Sequence, residues 1–215
     1  MTEIISKLDY SILSAYHTLA EACGGFLTPL AKFFTFIGEG GVWMFVLGGL
    51  LMLFPKTRKI GVCLFGAVGC GALITNIILK DFVARLRPFD VSNTYKLWWA
   101  YIGAPIADGF SCPSGHATSS VAGVLALTLI HNKKHLYWGI PYVLLMCFSR
   151  NYLMAHFPSD VIAGLIVGVI SAYVAYAITW IIFRLLERYK EYGFCYFLLY
   201  QVDAGKLLNK IFKRQ

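Results

Sequence analysis

Five long apolar runs, at about residues 41–54, 60–79, 116–131, 136–149 and 160–183, decide most of what this chain can fold into. A helix that crosses a bilayer needs about 20 apolar residues. In lipid every backbone polar group must be bonded within the protein, which leaves helices or closed barrels. The runs are continuous rather than alternating, so they read as helices. Charged residues make up 14% of the 215 and hydrophobic residues 58%, where a soluble domain carries about 25% charged. The expected fold is therefore all-α, a polytopic membrane helix bundle of about six transmembrane helices. Residues 1–184 are expected to form the membrane-embedded domain, and 185–215 a basic amphipathic cytoplasmic tail.

The sixth span is the open point. Tyr10 to Ala22 reads as a helix, Gly24, Gly25 and Pro29 break the pattern, and Phe26 to Ile37 is again apolar. This stretch is either one bent span, which gives six in all, or two helices lying in the interface. The opening MTEIISKLDY lacks the basic start and unbroken apolar core of a signal peptide.

The formal net charge is +8, and its placement sets an orientation. Lys56, Arg58 and Lys59 follow the first run, Lys133 and Lys134 the third, and Arg184 to Arg214 the last. Alternating spans put all three clusters on one side, which the positive-inside rule makes cytoplasmic. Segments 80–115 and 150–159 then share the outer side of a cell membrane. Basic residues in short clusters between apolar runs argue against nucleic-acid binding. The six cysteines contain no CxxC pair, which argues against zinc or redox use.

Three polar constellations fall on the outer side. Lys80 ends an apolar run and Arg87 follows seven residues later, so on a continuous helix the two cations share a face. Two fixed cations beside lipid suit an anion, or else anchor to headgroups. Ser111-Cys112-Pro113-Ser114-Gly115-His116 precedes an apolar helix. The amides of a helix start attract anions, Gly115 permits close approach, and His116 adds a titratable proton; a plain cap with a bystander histidine is the bland alternative. Ser149 to Asp160 holds Arg150, His156 and Asp160. A carboxylate four residues from an imidazole can accept from one ring nitrogen and leave the other nucleophilic.

These segments resemble the signature motifs of the type-2 phosphatidic acid phosphatase family, which also includes vanadium haloperoxidases and glucose-6-phosphatase. The family pattern is Lys, six residues, Arg-Pro; then Pro-Ser-Gly-His; then Ser-Arg, five residues, His, three residues, Asp. The chain matches each spacing between Lys80 and Asp160. The resemblance implies that Lys80, Arg87, Ser114, Gly115 and Arg150 bind phosphate, and that His156 attacks phosphorus to form a phosphohistidine. It also implies that Asp160 orients His156 and that His116 serves as acid, then base. No cofactor and no metal are implied. The implied substrate is a membrane lipid phosphate in the bilayer (undecaprenyl diphosphate, phosphatidylglycerol phosphate or phosphatidic acid), with no obligate protein partner. Cys112 and Met154 depart from the usual aromatic and small residues, and are expected to bear on substrate shape. Arg85 is expected to pair with Asp81 or Asp90. A lipid phosphotransferase using the same histidine, an anion transporter and a metallohydrolase are the competing functions.

Overall fold

The apolar runs become helices because lipid leaves the backbone no other partner for its N–H and C=O groups. The computed structural model describes residues 2–206 and contains no strand among them. Helix α1 (Thr2–Ala22) is followed by α2 (Thr28–Gly38) and α3 (Val42–Met52). Gly40 and Gly41, at φ 56° and 67°, make the left-handed kink that joins the last two. Helix α4 (Arg58–Ala72) runs through a π-helical stretch, Leu73–Leu79, into α5 (Lys80–Val83). Two short helices come next, α6 (Pro88–Val91) and α7 (Asn93–Ile102). The longer α8 (Gly115–Ile130), α9 (His135–Tyr152) and α10 (Pro158–Arg188) complete the bundle, followed by α11 (Gly193–Tyr196).

Three helical stretches are long and apolar enough to cross a membrane: Thr28–Met52, Arg58–Val91 and Pro158–Arg188, with Gly115–Ile130 as a shorter apolar helix. Six crossings would require α1, α8 and α9 in addition, each shorter or more polar than these. Residues 10–37 fall in two helices rather than one. The chain breaks between α1 and α2, and α2 joins α3 instead.

Helix α8 packs against α4, α9 and α10, while α3 flanks α4 and α2 flanks α9. Between membrane helices there is little hydrophobic drive, so close backbone approach over small residues carries the packing. A Cβ on Gly164 or Gly168 of α10 would come within 2.5 Å of the carbonyls of Ser114 or Thr118 in α8. The Thr118 hydroxyl donates to the Gly164 carbonyl at 3.0 Å across that contact.

At one end of the bundle, the buried Arg58 guanidinium donates to the carbonyls of Met52, Leu198, Leu199 and Val202. It clasps the segment after α10 onto the α3–α4 turn, where the Ala204 amide also donates to the Leu53 carbonyl at 3.0 Å. The described part of the basic tail is therefore packed on protein here. Lys210, Lys213 and Arg214 lie outside the described residues.

The polar segments gather at the opposite end, under α1 and α7. Tyr10 of α1 meets Tyr95 and Trp98 of α7, and Tyr95 packs edge-on to Phe157. Tyr95 is buried, so it is part of this packed cluster rather than of an exposed aromatic belt. His17 stacks on Trp98 at 4.9 Å.

A candidate phosphate-binding site

The end of α4 does not continue as the helix that the Lys80–Arg87 spacing suggests. Helix α5 stops at Val83, Ala84 turns left-handed at φ 48°, and Arg87 is extended at φ −75°, ψ 157°. Pro88 disfavours helical backbone at the residue before it. Lys80 and Arg87 still reach one space. It is a cavity of about 380 Å³ whose lining includes Lys80, Arg87, Gly115, His116, Arg150 and His156.

Each wall has its own anchor. Arg87 donates to the carbonyls of Gly109, Ala155 and Asp108 at 2.9, 2.8 and 2.7 Å. These bonds fix the guanidinium to two loops and tie up three of its five N–H groups. Arg150 is 4% exposed. Its Nη1 donates to Thr35 Oγ1 at 3.1 Å, and its Nε has no partner. Ser114 Oγ is likewise buried and without a partner. Buried donors left unpaired are rare, because each costs about 1–3 kcal/mol of lost hydration. Arg150 lines the cavity, and Ser114, outside the lining, immediately precedes its lining residue Gly115.

The start of α8 carries His116, whose Nε2 lies 3.2 Å from the Thr35 carbonyl. A carbonyl only accepts, so Nε2 bears hydrogen and Nδ1 is the basic nitrogen of the neutral ring. Pro113 precedes the helix, Ser114 is its N-cap, and Gly115 is its first residue. A Cβ on Gly115 would press to 3.3 Å from Asn76 Oδ1.

His156 sits in the loop between α9 and α10 and is 2% exposed. Its Nδ1 donates to the Ser111 carbonyl at 2.7 Å, which leaves Nε2 with its lone pair. Asp160 was expected to be that acceptor, but its Oδ2 stands 3.9 Å from His156 Nδ1. Asp160 accepts instead from the Phe157 amide at 2.8 Å and from Arg85 at 2.6 Å. The physical reason is local: Asp160 is in the first turn of α10, and its carboxylate folds back on that turn's free amides. Burial, then the charges of Arg150, Arg87 and His116, push the His156 pKa well below its ordinary 6.5. That shift favours the neutral ring.

Arg85 does not pair with Asp81 or Asp90. It lies between Asp160 and Asp9 of α1, at 2.6 and 2.8 Å. Cys112 and Met154 are absent from the cavity lining, which is formed at those places by Gly115, Leu153 and Ala155. Asp108 meets Arg87 through its carbonyl. Other lining residues, Asn76, Thr35 and Glu39 among them, belong to none of the three motifs. Asn76, one helical turn before Lys80, was accessible to periodicity. Thr35 and Glu39 line the cavity from α2 and the kink after it, and nothing local in the sequence marks them.

Both the sequence and the fold have matches among known proteins. Residues 60–184 match the PAP2 superfamily model. The chain belongs to the PAP2 superfamily. It is thus a membrane protein of a phosphatase family. It is 35% identical over 142 residues to an undecaprenyl-diphosphatase of Sulfolobus acidocaldarius, a match covering 66% of each chain. It is 26% identical to the undecaprenyl-diphosphatase BcrC of Bacillus subtilis, over 94% of this chain and 97% of that one. Its fold is similar to the crystal structure of a transmembrane PAP2-type phosphatidylglycerolphosphate phosphatase from Bacillus subtilis. The TM-score there is 0.63 at 22% identity, over 81% of this chain and 86% of that one.

Proposed function

We propose that the chain is a lipid phosphatase that hydrolyses a terminal phosphate through a phosphohistidine on His156. One observation carries the proposal: His156 presents an unprotonated Nε2 on the wall of a cavity shared with Lys80, Arg87 and Arg150. In the first step Nε2 attacks phosphorus, the P–N bond forms, and the P–O bond to the lipid breaks. His116, protonated in the substrate complex, gives its proton to the leaving oxygen. In the second step water attacks phosphorus and the P–N bond breaks. The water proton passes to His116, and phosphate departs.

The three cations hold the equatorial oxygens and offset charge that grows on them. Ser114 Oγ and the Gly115 amide add donors on the α8 side. Asp160 acts by shaping the turn that follows His156. Fixed cations fill the electrostatic role that a magnesium ion has in other phosphoryl transfers, so turnover needs no metal.

The substrate is a lipid bearing a monoester phosphate or a diphosphate. The strongly exposed Ile106 lines the cavity, and the exposed Ile77 follows its lining residue Asn76 in sequence, so a lipid tail can remain in the bilayer while its headgroup enters. The two undecaprenyl-diphosphatase relatives favour a polyprenyl diphosphate within that class. The positive-inside rule applied to the basic loops supports an outward-facing cavity.

The test is phosphate release by purified protein from undecaprenyl diphosphate, phosphatidylglycerol phosphate and phosphatidic acid. It is run in excess chelator and beside His156→Ala. The expected result is chelator-resistant release from at least one lipid, and an acid-labile, alkali-stable phosphoenzyme that the variant lacks. Release that stops in chelator, or persists in His156→Ala, overturns the mechanism. Phosphate found on an added acceptor lipid identifies a transferase. Labelling of Ile106→Cys by an impermeant maleimide on intact cells tests the outer orientation.

A further inference from the structure

Helix α1 lies outside the family match, which begins at residue 60, yet it delivers a buried carboxylate to the back of the site. Asp9 is 2% exposed. Its Oδ1 accepts from the Ser159 amide at 2.9 Å, and its Oδ2 from Ser159 Oγ at 2.7 Å and Arg85 Nη2 at 2.8 Å. The residue thus caps the start of α10 from another helix. Arg85 in turn donates from Nη1 to Ser159 Oγ at 2.7 Å and to Asp160 Oδ1 at 2.6 Å. Its guanidinium carbon lies 4.0 Å from the centre of the Phe157 ring.

The pair therefore touches Phe157, Ser159 and Asp160, the residues that immediately follow His156. Neither Asp9 nor Arg85 lines the cavity, so neither meets substrate. We propose that Asp9 is a positioning residue for phosphoryl transfer: through Arg85 and Ser159 it fixes the turn at the start of α10 and so the aim of His156. A second link runs the same way. The Arg85 carbonyl accepts from the Ser111 amide at 2.8 Å, and the Ser111 carbonyl holds His156 Nδ1. Arg85 thus grips both sides of the nucleophile, and Asp9 holds Arg85.

The geometry also explains why α1 is present at this end of the molecule. Ile4, Leu8 and Ile12, spaced by four, face outward. The helix lies on the site through Asp9, Leu13 and Ala20 while its other face is free to meet lipid. An in-line attack tolerates little misaim, and a displacement of about 1 Å costs on the order of a hundred-fold in rate. A carboxylate that sets the nucleophile's loop should act on kcat rather than on binding, because the phosphate-binding cations keep their own anchors.

This inference rests on the His156 mechanism proposed above. The experiment compares wild type, Asp9→Asn, Asp9→Glu, Arg85→Met, Asp9→Asn/Arg85→Met and His156→Ala, each assayed well below its own thermal midpoint. Asp9→Asn should lower kcat about ten- to a hundred-fold, with KM and competitive inhibition by orthophosphate unchanged. Asp9→Glu, which keeps the charge, should recover part of the loss. The double variant should lose less than the product of the two single losses, because Asp9 acts in part through Arg85. If Asp9→Asn does not fold, the Asp9→Glu kcat and KM decide. A wild-type kcat in the Asp9 variants, a loss confined to KM, or losses that multiply in the double variant overturn the positioning role. Turnover retained by His156→Ala overturns the mechanism instead, so the two failures are separable.

Discussion

Two buried arginines at opposite ends of the bundle show how one side chain takes different duties. Arg58 is 9% exposed and Arg150 4%. Arg58 directs its fork at four backbone carbonyls and clasps the segment after α10. Arg150 has a hydrogen bond from Nη1 to Thr35 and an Nε with no partner. On the proposed function, burial alone does not separate a structural cation from one that binds phosphate. The separation lies in donors left over after the protein has satisfied what it can. Arg87 stands between them, anchored by three carbonyls yet open to the cavity.

That contrast is open to attack, starting with the largest effect. His156→Ala should reduce phosphate release by roughly four orders of magnitude or more, measured as kcat on the preferred lipid. Arg150→Ala should lower kcat by about a hundred- to a thousand-fold, as for loss of one transition-state donor. Arg58→Met should behave oppositely: activity close to wild type at low temperature, and a thermal midpoint lowered by the loss of about 1–3 kcal/mol. Equal activity losses at Arg58 and Arg150 would erase the distinction. Ser114→Ala sharpens it. The variant removes an unpaired buried hydroxyl, so it should melt no lower than wild type while its turnover falls about ten-fold.

The smallest effect concerns pH. His156 is held neutral below its ordinary 6.5, so between its folded value and 6.5 the unfolded chain binds the extra proton. Stability then rises with pH across that window and levels off above it, by at most about 1.4 kcal/mol per pH unit. His156→Asn should flatten this acid limb of the melting curve. An unchanged limb would mean that other groups set it.

The sequence alone determined the helices that lipid surrounds. Runs 41–54, 60–79, 116–131, 136–149 and 160–183 became α3, α4 with its π-helical end, α8, α9 and α10. A bilayer admits few alternatives for such runs, so their composition is decisive. It also supplied Lys80, Arg87, His116, Arg150 and His156, because charged and titratable residues beside long apolar runs are conspicuous. Tertiary structure alone decided which atoms those residues meet. The acceptor for His156 is the Ser111 carbonyl, 45 positions away, rather than nearby Asp160. Arg85 found Asp9, 76 positions away, in place of Asp81 or Asp90. A backbone carbonyl carries no residue signature, and a carboxylate on an amphipathic helix looks solvated until that helix docks. Local pattern reports what each segment must hide from lipid or water; only packing reports which buried donor reaches which acceptor.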